Sequence, residues 1–200
     1  NYVDQVGELG YQIGLNLTGS KNELTELNTS DYLGIPSSSL HSVNFDQEIS
    51  RSAVGQPIAS FYGHVAEGLF QSQAEIDSYG LQPNASPGDI KFKDVDGDGD
   101  VDADDRTFIG SPHPDLMVGL NLQFNYKNFD LGLNFNGVSG NKVYNHTAMS
   151  LFSKGLLTSN FNTTSIATQF PEEDITNSNA VSTRYLEDGD FLRLNNATLG

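Results

Sequence analysis

Apolar side chains recur at every second position through residues 116–126, and the alternation resumes through residues 129–135. Only Lys127 and Asn128 separate the two runs. Successive side chains of a β-strand point to opposite faces, so each run predicts a strand with one apolar and one polar face. Two such strands joined by two polar residues predict a β-hairpin with a tight turn at Lys127 and Asn128.

Two further segments show this pattern less completely. Residues 11–18 alternate, and residues 190–199 form a looser run of apolar side chains. The segments between the strands, about residues 19–115 and 138–185, are predicted to be long loops. Antiparallel strands are predicted at about residues 11–18, 116–126, 129–137 and 190–199.

Two environments favour such strands: a soluble β-sandwich with one wet face, and an outer-membrane β-barrel between lipid and water. Strands of about nine to eleven residues match a tilted crossing of a bilayer, whereas strands of globular proteins most often have about five or six. The polar positions carry Asn, Gln, Gly and Thr with few charges, and Tyr126 and Phe129 lie at the hairpin end, where an aromatic girdle is expected. The predicted fold class is therefore all-β, with antiparallel strands from a transmembrane β-barrel.

The connecting segments set the orientation of such a barrel. A tight turn at Lys127 and Asn128 places both long loops at the opposite end of the strands. Outer-membrane barrels have short periplasmic turns and long external loops, so both loops are predicted to be extracellular. Loops of this length are uncommon in compact soluble domains, which counts against the sandwich.

The first long loop has local features of its own. Residues 73–79 are compatible with a short helix. Phe61, Tyr62 and Phe70 are interpreted as packing residues that make the loop a lid or buttress, with contact to a ligand or partner as the alternative. The four histidines are scattered without metal-ligand spacing and are interpreted as ordinary loop residues.

An acidic segment, residues 94–105, has carboxylates at alternate positions and Gly99 at its sixth position. Calcium takes about six to eight oxygen ligands, and EF-hand loops supply them from positions 1, 3, 5, 7, 9 and 12. Gly99 stands where such a loop turns sharply, and Val101 is the apolar residue that can pin the loop to its neighbours. The predicted Ca²⁺ ligands are Asp94, Asp96, Asp98, Asp100 through its backbone carbonyl, Asp102 directly or through water, and Asp105.

Two departures from an EF-hand qualify this prediction. Asp105 replaces the usual bidentate glutamate, and its shorter side chain predicts a modest affinity. Neither residues 88–93 nor residues 106–112 have helical periodicity, so the loop is predicted to lack flanking helices. The alternative is a solvated acidic turn, but the clustered carboxylates would repel one another without a cation. Calcium is favoured over magnesium because all the donors are protein oxygens.

Composition argues against several functions. The formal net charge of -16 leaves no basic patch for nucleic acid. There is no cysteine, and no apolar run of about eighteen residues that would predict a membrane-spanning helix. No carboxylate pair stands out as an acid and a nucleophile, so we expect no enzyme activity. The glutamates considered for such a role are Glu67, Glu75, Glu172, Glu173 and Glu187.

A series of short motifs follows the same order as these features. In one-letter code they are GQPI at 55–58, FYG at 61–63, EGLF at 67–70, PGDIKF at 87–92, the acidic loop with RTFIG at 106–110, PD at 114–115, YKNFD at 126–130 and YLEDGDFLRL at 185–194. One such motif would be weak evidence, whereas the ordered series is strong. The series covers most of residues 11–200 and resembles the C-terminal third of SusC/RagA-type TonB-linked outer-membrane transporters.

The resemblance implies more than the residue pattern predicts. Members of this family are large barrels of Bacteroidetes-type bacteria that import glycans or peptides too big for porins. They have an N-terminal plug and a TonB-contacting segment, and they pair with a SusD-like surface lipoprotein. The resemblance therefore implies an excerpt of an importer in outer-membrane lipid, whose TonB contacts lie in parts outside this chain. Its lumen-facing Asn and Gln side chains would line the pore, and the calcium loop would stiffen an extracellular loop.

A second hypothesis comes from another class of protein. Dockerin-type repeats also use Asp-rich loops closed by aspartate, so the alternative is a secreted calcium-dependent adhesion or scaffold-binding module. Dockerins carry two such loops, each leading into a helix. This chain has one such loop, and no helix is predicted after it.

Overall fold

The structure is a computed structural model that describes residues 1–28, 30–36, 48–152 and 180–200. The chain divides into two compact units, which we call the sheet unit and the mixed unit. The sheet unit comprises Asn1–Asn22, Pro112–Lys142 and Asp188–Gly200, and the mixed unit comprises Glu23–Ser111 and Val143–Glu187.

Strands dominate the regular structure of the described residues. Two short α-helices accompany them, α1 (Gln73–Tyr79) and α2 (His146–Phe152), together with single 3₁₀ turns at Ala103–Asp105 and Thr183–Tyr185. In the described part of the chain, no helix is long and apolar enough to cross a membrane. The strands are β1 (Tyr2–Val6), β2 (Leu9–Gly19), β3 (Tyr32–Pro36), β4 (Glu48–Ala53), β5 (Ser60–Gly63), β6 (Ala66–Leu69), β7 (Ile90–Phe92), β8 (Thr107–Gly110), β9 (Leu116–Tyr126), β10 (Phe129–Ser139), β11 (Lys142–Tyr144), β12 (Leu186–Asp188) and β13 (Phe191–Leu199).

The sheet unit is one antiparallel sheet with the strand order β1-β2-β9-β10-β13. Strands β9 and β10 form the predicted hairpin, joined at Lys127 and Asn128. The segments predicted at residues 11–18 and 190–199 correspond to β2 and β13. Strand β1 was not predicted, because a short segment containing an aspartate lacks a clear apolar alternation.

Cross-strand pairing collects the apolar side chains of the sheet unit on one face. Directly paired residues share a face, and the next row on that face lies two residues along each strand. Leu15 and Leu17 are 57% and 59% exposed on this face, so it is an open apolar surface in the sheet unit. Two successive rows comprise Tyr11, Phe124, Leu131 and Leu199, and then Ile13, Leu122, Leu133 and Ala197.

A β-bulge explains the looser pattern of the last strand. The register between β10 and β13 shifts between Asn134 and Phe135, where Asn134 pairs with Asn196 and Phe135 pairs with Leu194. Asn195 is the extra residue on β13. The bulge changes the parity of the strand, so that apolar side chains before and after Asn195 lie on the same face.

The opposite face of the sheet unit is polar and nearly uncharged. Glycines alternate with the amide side chains, which leaves room between neighbouring amides. This surface, which we call the amide face, includes the rows Gln12, Gln123, Gly132 and Thr198, and then Gly14, Asn121, Asn134 and Asn196.

The mixed unit contains small sheets built from short strands. One sheet has the order β3-β4-β5-β8, and β6 pairs with β7. These strands, together with α1, lie within the segment that was predicted as the first long loop. The two-stranded sheet β11-β12 lies at the ends of the segment predicted as the second loop.

Two apolar clusters form the core of the mixed unit. The first contains Ile90, Phe92, Met149, Val181 and Tyr185 together with Ile49. The second contains Phe70 and Ile76 with Ala85, which places α1 on the segments around β6 and β7. The core is therefore built by residues from both ends of the unit.

Helix α1 confirms the predicted short helix at residues 73–79. The side chain of Ser72 accepts a hydrogen bond from the Glu75 N–H, and Gly80 ends the helix with a φ of 73°. Phe70 is fully buried against this helix. Phe61 and Tyr62 lie 5.9 Å and 5.3 Å from the rings of Tyr144 and Phe108, which agrees with their interpretation as packing residues.

The end of β5 joins distant parts of the mixed unit. The His64 N–H donates to the Val181 carbonyl over 2.8 Å, and the Thr183 N–H donates to the His64 carbonyl over 3.0 Å. Gly63 is buried beside this contact, and a Cβ there would lie 2.8 Å from the Val181 carbonyl carbon. Only glycine fits, because the obstructing atoms belong to the main chain.

Gly63→Ala is therefore expected to destabilise the mixed unit by about 1–3 kcal/mol through overpacking. Limited proteolysis across a urea series measures the change. Gly119→Ala is the control, since a Cβ there meets nothing nearer than 3.8 Å. Equal urea resistance of Gly63→Ala and the wild type would contradict this assignment.

Candidate metal site

The acidic loop connects β7 to β8 in the mixed unit, and no α-helix flanks it. Carboxylate oxygens of Asp94, Asp96 and Asp98 all lie within 4.8 Å of one another. Two oxygens bound to one Ca²⁺ at about 2.3–2.6 Å can be at most about 5 Å apart. The three side chains are thus close enough to share a single ion.

Hydrogen bonds to main-chain N–H groups hold the first half of the loop in this shape. Asp94 accepts from the N–H groups of Gly97 and Gly99 over 2.6 and 3.1 Å. Asp96 accepts from Asp98, and Asp98 accepts from Asp100, over 3.1 and 2.9 Å. Gly97 and Gly99 have φ angles of 80° and 91°, in the left-handed region that favours glycine. The predicted sharp turn at Gly99 is therefore present.

Asp105 closes the loop by accepting main-chain hydrogen bonds. One carboxylate oxygen accepts from Val95 over 2.6 Å and from Asp96 over 3.4 Å. The other accepts from Asp102 over 2.9 Å, as part of a capping box around residues 103–105. An ionised carboxylate offers about four acceptor positions, so Asp105 has capacity for one more bond.

Asp100 and Asp102 lie in the loop without joining the three-carboxylate cluster. The side chain of Asp100 accepts from the Val101 N–H, and that of Asp102 accepts from the Asp104 N–H. Sequence reasoning assigned a backbone carbonyl to Asp100 and a direct or water-mediated contact to Asp102. Both roles stay predictions.

Contacts of Val101 and Arg106 attach the loop to the rest of the mixed unit. The Val101 N–H donates to the Leu81 carbonyl over 3.1 Å, and its side chain packs against the larger core cluster. The proposed pinning role of Val101 is thereby confirmed. Arg106 donates to the Glu48 carbonyl over 2.7 Å, which ties the end of the loop to β4. Sequence reasoning missed Arg106, although its place directly after the closing aspartate was a usable signal.

Burial, hydrogen bonds and charges shift the pKa values of groups in and beside the loop in different directions. For Asp96, the hydrogen bond from Asp98 lowers the pKa, but burial and the charges of nearby aspartates outweigh it, so its pKa is raised. For Asp105, burial acts upward, but the main-chain hydrogen bonds outweigh it and its pKa is lowered. Burial, assisted by the charge of Arg106, lowers the pKa of His64.

The donor set fits a hard divalent cation. Three carboxylates converge, all the available donors are oxygens, and Asp96 and Asp98 are exposed to solvent from which an ion could enter. Calcium accepts such a set readily, whereas magnesium demands a stricter octahedral geometry and keeps more of its water.

The amide face of the sheet unit is a second candidate surface. A depression of about 260 Å³ on it is lined mainly by amides and glycines. Its lining includes Gln12, Gly14, Asn121, Gln123, Gly132 and Asn134. The depression offers neutral donors and acceptors with no charged side chain.

Comparisons with known proteins place these features in a family. No family model matches the sequence. TonB-dependent receptor P3 of Formosa agariphila is 30% identical over 196 residues, which cover 95% of this chain and 19% of the relative. TonB-dependent receptor SusC of Bacteroides thetaiotaomicron is 26% identical over 198 residues, covering 95% of this chain and 18% of the relative.

Solved structures show the same fold. The structure of the RagAB peptide transporter matches 98% of this chain and 21% of that chain, with a TM-score of 0.67 and 20% identity. The RagAB peptide importer in the open-open state matches with a TM-score of 0.64 and 20% identity.

These findings assign the chain to the class of TonB-dependent receptor sequences. Within that class, the resemblance to SusC/RagA-type transporters is confirmed. The chain spans about a fifth of the length of the relatives it matches, 19% of one and 18% of another.

Substitution of Asp105 and of Asp98 in the acidic loop is expected to have different effects on stability. In the presence of a chelator, Asp105→Ala should destabilise the mixed unit by about 1–3 kcal/mol, because three N–H groups lose their acceptor. Asp98→Ala should have little effect under these conditions, since its exposed carboxylate accepts one N–H. Proteolysis across a urea series distinguishes them. Equal losses in the two variants would refute a structural role specific to Asp105.

Proposed function

We propose that this chain is part of a TonB-dependent importer of glycans or other large nutrients in the bacterial outer membrane. The observation that carries the proposal is the similarity to TonB-dependent receptors over 95% of the chain. The apolar and amide faces of the sheet unit supply the physical support. The relatives are named as receptors and transporters, and none of these names describes an enzyme.

The dimensions of the sheet unit suit a membrane crossing. Strands β2, β9 and β10 each have 11 residues. Such strands are about 37 Å long, and a tilt of about 40° reduces their height to about 28 Å, close to the thickness of a bilayer core. The apolar face would then contact lipid and the amide face would line the lumen.

Connectivity supports a proposed orientation of the strands in the membrane. The turn between β1 and β2 and the turn between β9 and β10 are short and lie at the same end of the sheet. The segments that build the mixed unit leave and re-enter at the other end, after Gly19 and Ser139 and before Leu116 and Phe191. Short turns are periplasmic in outer-membrane barrels, so the mixed unit would be extracellular.

Transport would draw on parts beyond this chain. The amide face would offer neutral hydrogen-bonding groups to an oligosaccharide or peptide that passes through the lumen. A SusD-like surface lipoprotein would be the partner at the extracellular mouth, and the TonB complex would supply the energy. The resemblance to SusC and RagA supports both partners.

The acidic loop would bind Ca²⁺ and stiffen the mixed unit. Asp94, Asp96 and Asp98 would hold the ion, which would neutralise part of the local negative charge. An ion that binds only the ordered loop stabilises that conformation by mass action. Val101 and Arg106 would carry the effect to the core cluster and to β4, since both are attached there.

A charge on the lipid face tests the membrane assignment. In the full-length receptor, Leu122→Arg should impair insertion, because an arginine near the bilayer midplane costs about 2–4 kcal/mol. The amount of receptor in the outer-membrane fraction and the uptake of labelled oligosaccharides or peptides should both fall.

Gln123→Arg is the matched control, because the neighbouring residue on β9 lies on the amide face. It should preserve insertion. Equal insertion of the Leu122→Arg variant and the wild type would refute the orientation. Uptake that is unaffected by loss of the receptor would refute the importer.

Calcium removal tests the role of the acidic loop. Chelation should raise the protease sensitivity of the mixed unit but not of the sheet strands, because the ion orders only the loop and its contacts. A variant with Asp94→Ala and Asp98→Ala should be equally sensitive with and without calcium. Asp104→Ala is the control, since Asp104 was not predicted as a ligand. Equal protease resistance of the wild type with calcium and with chelator would contradict calcium binding.

A further inference from the structure

The apolar face of the sheet unit carries one carboxylate that the proposed function does not use. In the pairing of β1 with β2, Asp4 lies opposite Tyr11. Its neighbours on the same face are Tyr2 and Val6, which pair with Ile13 and Leu9. A charged group in this position calls for a partner of opposite charge.

Two tyrosines surround this carboxylate. The Tyr2 hydroxyl donates to one oxygen of Asp4 over 2.8 Å, and the Tyr11 hydroxyl lies 3.5 Å from the same oxygen. The Gln5 N–H donates to the other oxygen over 2.7 Å. About one of the four acceptor positions of the carboxylate is left, and both hydroxyl oxygens can also accept.

The rings add a second attraction for a cation. The ring centroids of Tyr2 and Tyr11 are 6.0 Å apart, and the ring planes are inclined by 39°. An aromatic face attracts an ammonium group electrostatically, most strongly where water is partly excluded. A carboxylate between two tyrosines is therefore suited to a primary ammonium, which is compact and donates up to three hydrogen bonds.

Asp4 lies near the short-turn end of the strands, close to the boundary between acyl chains and headgroups. Asp4 is two residues, or about 7 Å, from the row of Val6, Leu9 and Tyr126 at the short-turn end of the sheet. A carboxylate on the lipid face costs little near the interface, although it would be expensive at the midplane. Lys127 lies at the same end, with its ammonium 5.4 Å from the Tyr126 ring centroid and 3.2 Å from a carboxylate oxygen of Glu8.

We propose that Tyr2, Asp4 and Tyr11 form a site for the primary ammonium of a zwitterionic phospholipid headgroup. The lipid belongs to the leaflet next to the short turns. The inference rests on the proposed membrane position of the sheet unit. Charge complementarity selects this occupant, because an anionic headgroup without an ammonium would be repelled by Asp4 and a quaternary ammonium has no N–H to donate.

Lipid retention by the full-length receptor tests the site. The receptor is placed in nanodiscs of phosphatidylethanolamine, phosphatidylglycerol or phosphatidylcholine, and native mass spectrometry counts the lipids retained after transfer to detergent. The wild type should retain phosphatidylethanolamine about tenfold more than either other lipid. Asp4→Asn should remove the preference, because it keeps the shape of the side chain and abolishes its charge.

Asp130→Asn is the matched control, since Asp130 lies near the same end of the sheet but on the amide face, paired with Asn125. It should keep the preference. A variant with Tyr2→Phe and Tyr11→Phe keeps both rings and should reduce the preference, which provides a second test if Asp4→Asn does not assemble.

Each other outcome overturns the site. Equal retention of the three lipids by an inserted wild-type receptor would refute the ammonium site and leave the importer intact. Loss of the preference in Asp130→Asn as well would show that the effect is not specific to Asp4. A receptor that does not enter any nanodisc would refute the proposed membrane position, and the lipid site with it.

Discussion

The main-chain hydrogen-bond ladder of the sheet unit is the constraint on which the other features depend. Each strand of the sheet unit pairs along its length with a neighbour, and this pairing assigns every side chain to one face. Hydrocarbon offers no partner for main-chain polar groups, so only a paired ladder can be placed in it. The apolar and amide faces follow from that register, and the position of Asp4 becomes meaningful only because the register is fixed.

The mixed unit is built from short strands and depends on side-chain packing for its stability. Its elements are too small to be stable alone, and they are held by a larger core cluster whose members come from distant segments. The acidic loop lies between two of these strands and is attached through Val101 and Arg106. Repulsion among the loop carboxylates therefore acts on a unit with limited packing. Binding of a cation would have its largest effect on the stability of such a unit.

The sequence predicted those parts of the structure in which local pattern and final environment agree. The long alternation through residues 116–135 predicted the central hairpin, and the sixth position of Gly99 in the acidic segment predicted the sharp turn there. Strand β1 was not predicted, because Asp4 interrupts its apolar face. The pairing of His64, just after β5, with residues 181–183 was not predicted, because it joins segments more than a hundred residues apart and no local pattern records it. The sequence predicted Asp105 as the closing Ca²⁺ ligand, which stays a prediction, whereas its use as an acceptor for three N–H groups required coordinates.

The bulge at Asn195 determines which changes in the length of β13 keep its side chains on the correct faces. Without it, the two halves of β13 would be out of phase, and Arg193 would move from the amide face to the apolar face. A single-residue insertion or deletion elsewhere in β13 would have the same effect unless a second one restored the phase. Related sequences should therefore gain or lose residues in this strand only in compensating pairs.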